Sequence, residues 1–89
     1  MRTITLDLER MTSVPALHKY LRSALALPAH YGANLDALYD CLTEIAEPTQ
    51  IIVPANVTDN EKLGCYGEQL LQVLQDAAEE NENLQVTVK

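Results

Sequence analysis

The sequence contains no phenylalanine and no tryptophan. A core must therefore be built from Leu, Ile, Val and Ala, and the four tyrosines are the only aromatic side chains of the Phe, Trp or Tyr type. Cysteine is also scarce: Cys41 and Cys65 make neither a disulfide framework nor the paired ligand motifs of a structural metal site. One bridge stays open, but the simplest expectation is two thiols in a reducing cytoplasm. No apolar run approaches the roughly 20 residues of a membrane helix, and Met1-Arg2-Thr3 leads into strand-like sequence rather than a signal peptide. Basic residues are the most telling shortage. Six Lys and Arg face thirteen Asp and Glu, for a net charge of −7. Between Ser23 and Val88 the only base is Lys62, against eleven acids. Binding to nucleic acid needs Lys and Arg to neutralise phosphates, so the balance argues against that class. A basic partner is favoured instead, because complementary fields raise encounter rates, although an acidic surface can also serve solubility alone.

Eighty-nine residues are expected to form one domain, residues 1–89, because two cores would each be too small to bury themselves. Thr3 to Leu8 alternates with period two and predicts a strand. Thr12 or Ser13 can cap a helix that begins at Val14, with Val14, Leu17, Leu21 and Leu25 on one face and Pro28 as its stop. Asn34 is a suitable cap for a second helix running to about Glu44 or Ile45. Gln50 to Val53, bounded by Pro48 and Pro54, reads as a buried central strand. Residues 55–63 could form a short helix, Gly64 and Gly67 a turn, and Glu68 to about Glu80 a longer helix with Leu70, Leu71, Leu74, Ala77 and Ala78 in a stripe. Leu84, Val86 and Val88 then alternate as a last strand. Helical connections between strands imply parallel pairing. The expected fold is α/β: a small three-stranded parallel sheet with three to four helices packed mainly on one face.

The second helix carries the functional argument. Leu35, Leu38, Leu42 and Ile45 account for its buried side. Asp36, Tyr39, Asp40 and Thr43 occupy the other, at i, i+3, i+4 and i+7. Asp36 sits in the first turn, where the helix dipole favours a carboxylate. Asp40 has no such support, and like charges at this spacing cost roughly 0.2–0.5 kcal/mol. No Lys or Arg lies three or four residues from either aspartate. Tyrosine is enriched at interfaces and carboxylates pair bidentately with arginine, so the stripe fits a binding face as well as an ordinary polar one.

The string from Leu27 to Thr43 is long and specific: Leu-Pro-Ala-His-Tyr-Gly-Ala-Asn-Leu-Asp-Ala-Leu-Tyr-Asp-Cys-Leu-Thr. It closely resembles the central segment of the barstar family of intracellular ribonuclease inhibitors. The likeness extends over nearly the whole chain, including Leu17-His18, Leu71-Gln72-Val73 and the alternating C-terminal strand. That resemblance implies one-to-one binding to a basic, barnase-like ribonuclease, with carboxylates occupying sites of RNA phosphates, and with no cofactor, metal, membrane or direct nucleic-acid contact. By position it assigns Asp40 to the catalytic site of the nuclease and Asp36 to its rim. His30 stands where the family has a ring that stacks on the catalytic histidine. Asn34, Ala37, Tyr39 and Thr43 complete the contact on the helix, and Asp76 joins from the last helix, with Glu80 more peripheral. Glu44 and Ile45 depart from the family pattern, which has a glycine and a tryptophan there, and imply a different cognate nuclease.

Other uses of these residues are weaker. Asp36, Asp40 and His30 could in principle be catalytic carboxylates or metal ligands, but a convex helix of so small a domain offers no pocket for them. No HExxH, GxGxxG, P-loop or EF-hand pattern is present. His18, next to Leu17 on the core side of the first helix, reads as a hydrogen-bonded structural histidine. Cys41 leans to the buried side as an inert thiol, Cys65 carries no assigned role, and Tyr66 is unassigned. The chain is thus expected to be a cytoplasmic binding protein and not an enzyme. The rival reading is an acidic binding module whose basic partner is not a ribonuclease, since the same carboxylates would suit any complementary surface.

Overall fold

Strand β2 (Thr49–Val53) is the axis of the fold, with β1 (Arg2–Thr5) on one side and β3 (Leu84–Val88) on the other. The computed structural model describes residues 2–28, 31–32, 34–59, 61 and 63–89. Both pairings are parallel, and the register sets Ile4 beside Ile51 and Ile51 beside Val86. Helices α1 (Val14–Ala24) and α2 (Leu35–Thr43) connect β1 to β2, while a 3-10 turn (Ala55–Asp59) and α3 (Cys65–Glu80) connect β2 to β3. The order β1-β2-β3 advances in one direction, so two right-handed crossovers place their helices on the same face. Thr49, Ile51 and Val53 on that face are fully buried. The opposite face carries Thr3, Thr5, Gln50, Gln85 and Thr87 with only Ile52 apolar, and Gln50 Nε2 donates to Thr87 Oγ1 at 3.2 Å. The expected buried central strand is therefore buried on one side only, and its other side is a polar sheet face.

The core is one cluster in which Leu17 and Leu21 of α1, Leu38 and Leu42 of α2, and Leu70 and Leu74 of α3 are all fully buried. Each buried leucine contributes roughly 1.5–3 kcal/mol. Helix starts follow from caps: Ser13 Oγ accepts from the Ala16 amide at 3.2 Å, and Asn34 Oδ1 accepts from the Ala37 amide at 2.8 Å.

Four boundaries differ from expectation. Helix α1 ends at Ala24, four residues before Pro28, with Leu25 as its cap and Ala26 turned to φ 53°. The first strand stops at Thr5 rather than Leu8, because Asp7 turns the chain: its carboxylate accepts from the Glu9 amide at 3.0 Å and starts a 3-10 turn over Leu8–Arg10. Leu6 thereby enters the core. The segment after β2 forms a 3-10 turn over Ala55–Asp59 rather than a helix reaching residue 63. Finally, α3 begins at Cys65, so Gly67 lies inside a helix and not in a turn. A Cβ at residue 67 would sit 2.1 Å from the Val57 carbonyl oxygen. Glycine is required there by close approach of α3 to the preceding turn, a contact across ten residues that local periodicity does not record.

Candidate functional site: the acidic face of α2 and α3

Nine residues make α2 too short to persist by itself, so its surface is presented only because Leu38 and Leu42 anchor the opposite side. That anchoring leaves Asp36 and Asp40 exposed, with Tyr39 and Thr43 half-buried beside them. Tyr39 also packs against the core, so it is not the fully solvent-facing residue that the spacing alone implies. Thr43 Oγ1 donates to the Asp40 carbonyl at 2.9 Å, which keeps its side chain against the helix. Asn34 caps the helix and also donates from Nδ2 to the Gly32 carbonyl at 3.2 Å, tying the connection to the first turn. Ala37 is half-buried within that turn.

Helix α3 lies beside α2 and adds its own acids. Asp76 is exposed and accepts from Gln72 Nε2 at 2.9 Å along its helix. The phenol of Tyr39 is pushed up by desolvation first, then by the carboxylates of Glu80, Asp76 and Asp40. Three acids from two helices thus act on one tyrosine. Asp36 lies one turn closer to the helix N-terminus than Asp40. Among the described residues, the only ion pair is the exposed contact between Arg10 and Asp7, and no base neutralises this face. Like charges so placed repel, and the arrangement is relieved only by counterions or a basic surface. His30 lies outside the described residues.

Glu44 is exposed and Ile45 half-buried, both lining an open cleft with Leu27 and Pro28. Burial first, then Glu44 and Asp40, push the Cys41 thiol up, so it is held as the neutral thiol. Among the described residues no three His, Cys, Asp or Glu side chains converge as metal ligands.

Two polar groupings that support α2 were not assigned from spacing. His18 is 2% exposed, and its two ring nitrogens each lie 2.5 Å from a tyrosine hydroxyl, Nδ1 from Tyr31 and Nε2 from Tyr66. The expected hydrogen-bonded structural histidine is therefore present, and Tyr66 is one of its partners. Asn81, 7% exposed, donates from Nδ2 to the carbonyls of Leu42 and Ile45 at 2.9 Å each, while its Oδ1 accepts from the Asn83 amide at 3.0 Å. In the sequence Asn81 only interrupts a helical stripe. An asparagine directly after a long helix is the available signal, but nothing local tells what it reaches.

The model of a protein family described as Barstar (barnase inhibitor) matches residues 1–89. A Bacillus subtilis (strain 168) protein named "Putative ribonuclease inhibitor YrdF" is 38% identical over 81 residues, which span 90% of this chain and 89% of that protein. With a three-stranded parallel sheet, an acidic second helix and a family match along its whole length, the chain belongs to the barstar family.

Proposed function

We propose that this protein is a cytoplasmic inhibitor of a basic, barnase-type ribonuclease, binding it one-to-one through α2 and the connection before it. The carrying observation is the exposed pair Asp36 and Asp40, with no base near them among the described residues, on a helix of a chain whose family is described by barnase inhibition. A ribonuclease active site is a basic concave surface shaped for phosphates, and two carboxylates one helical turn apart on a convex helix are its electrostatic complement. Asp40 is central and meets the cations of the catalytic site. Asp36 pairs at the rim, Tyr39 supplies the buried apolar contact typical of hot spots, and Asn34, Ala37 and Thr43 line the same ridge. Asp76 extends the acidic face from α3, and His30 provides a flat ring ahead of the helix. The protein acts by occupying the site and carries out no chemistry of its own.

The test is a titration into a panel of barnase-type ribonucleases, following RNA cleavage at physiological salt, with wild type and Asp40→Ala side by side. Stoichiometric inhibition by wild type is expected. The variant should bind some 30-fold to several-thousand-fold more weakly, about 2–5 kcal/mol, the general range for truncating a desolvated interfacial charge, for which barnase–barstar is itself a standard case. Equal inhibition by both proteins would remove Asp40 from the site. No inhibition across the panel would favour a basic partner other than a ribonuclease.

A further inference from the structure

The connection that leads into the proposed docking helix is held from within the protein. Tyr31 lies just before α2, and its hydroxyl meets Nδ1 of His18 on α1. The other ring nitrogen of His18 meets the hydroxyl of Tyr66, in the first turn of α3. Both rings are centred 5.8 Å from the imidazole, one tilted at 52° and one edge-on at 82°. The linkage continues outward from Tyr31: its amide donates to the Pro28 carbonyl at 3.0 Å, the next residue Gly32 accepts from Asn34, and Asn34 caps the turn that holds Asp36. A buried ring thus connects to the acidic face through three residues.

A neutral imidazole has one N–H and one lone pair, so one tyrosine accepts from it and the other donates to it. A protonated imidazole has two N–H groups, and both hydroxyl oxygens must accept. The hydroxyl hydrogen displaced from the ring then needs a new acceptor in a partly buried site, and one hydrogen bond is lost or rearranged.

We infer that His18 is a positioning residue for the docking surface: through Tyr31, with Tyr66 as a fixed stop behind the ring, it sets the connection at the head of α2, and protonating it loosens that connection and weakens partner binding without His18 touching the partner. The inference rests on the reading of this face as a docking site. The titratable groups facing the ring are Tyr31 from the connection and Tyr66 from α3, with Cys41 of α2 acting in turn on Tyr31. Lys19 and Arg22 of its own helix are exposed, and among the described residues no carboxylate bonds to it. Desolvation holds the imidazole below its ordinary value of 6.5 and holds both phenols above theirs, which fits the neutral, braced arrangement at physiological pH.

Two measurements test this. In the free protein, NMR from pH 7.5 to 4.5 should show the His18 ring titrating below 6.5, with the Tyr31 and Gly32 amides shifting at the same midpoint. Tyr66→Phe keeps the imidazole but removes an oxygen that the cation needs, so it should move both midpoints down together. In the complex, affinity for a barnase-type ribonuclease is compared at pH 7.5 and at a pH below the His18 midpoint found by NMR, for wild type and His18→Gln, a side chain with a donor and an acceptor that does not titrate. Wild type should lose about fivefold more affinity than the variant, the worth of one net hydrogen bond. His30 and the acidic face are common to both proteins and cancel. Titration of His18 that leaves Tyr31 and Gly32 unmoved, or coincident pH profiles for the two proteins, would overturn the inference. Absence of binding at pH 7.5 would instead count against the docking reading, and the NMR result would then decide the brace alone.

Discussion

The two ends of α2 are both fastened by buried polar side chains from elsewhere in the chain, and they differ in whether the fastening can be switched. At the tail, the Asn81 amide donates to Leu42 and Ile45. At the head, the His18 imidazole holds Tyr31. An amide keeps the same donors and acceptor at every pH, whereas an imidazole changes from one donor to two as it protonates. A short helix bearing unpaired carboxylates gains little from its own propensity, so these external bonds help to define where its acids sit. The tail is a permanent attachment and the head a conditional one.

The largest expected effect separates them at the tail. Asn81→Leu leaves the Ile45 carbonyl and the Asn83 amide without this partner, and the Leu42 carbonyl with only the Ile45 amide at 3.3 Å. Loss of several satisfied groups at a site 7% exposed should destabilise by about 2–4 kcal/mol in urea unfolding. The difference from wild type should be the same at pH 7.5 and 5.5. A cost under about 1 kcal/mol would mean that Leu38 and Leu42, packed against α3, already hold the tail unaided.

The head should behave in the opposite way. The folded-state pKa of His18 is lowered relative to its ordinary 6.5. The unfolded chain therefore binds a proton in a range where the folded chain does not, and stability rises with pH there. The contribution is fully present above about 6.5 and is lost as pH falls through the lowered folded value. The limiting slope for one proton is about 1.4 kcal/mol per pH unit. Urea midpoints should thus fall between pH 6.5 and 5 more steeply in wild type than in His18→Gln. Parallel curves would show that the ring titrates equally in both states.

These two fastenings mark where the sequence ceases to be legible. The second and third strands, the leucine faces of α1 and α2, and the caps Ser13 and Asn34 are written in spacings of two to four residues, and they appear where those spacings place them, whereas the first strand ends three residues early. The stripe of Asp36, Tyr39, Asp40 and Thr43 is legible for the same reason. Contacts spanning the chain are not. Tyr66 meets His18 across 48 residues and Asn81 meets Leu42 across 39, and neither partner carries a local mark of the other. Gly67 reads as a turn because glycine usually breaks a helix, yet here tertiary contact with Val57 decides. Asp76 is a special case: spacing alone leaves it on a polar helix face, family likeness assigns it to the contact, and the fold sets it beside Tyr39 with Glu80.

The smallest expected effect concerns the start of the connection itself. Ala26 has φ 53°, the left-handed region that alanine rarely adopts. It stands just after α1, where the Leu27 amide donates to the Arg22 carbonyl at 2.9 Å and the Ala26 amide to the Ser23 carbonyl at 3.3 Å. That bonding is the usual helix ending in which glycine fills the left-handed position. Ala26→Gly removes a conformational cost of about 1–2 kcal/mol but frees the unfolded chain, so a net stabilisation of about 0.5–1 kcal/mol is expected. Because Ala26 precedes the attachment at Tyr31, a local strain should be relieved equally at pH 7.5 and 5.5 and leave partner affinity unchanged. Weaker binding by the stabilised variant would show instead that the cost at Ala26 is coupled to the connection, and that the head of α2 is set by backbone strain together with the His18 brace.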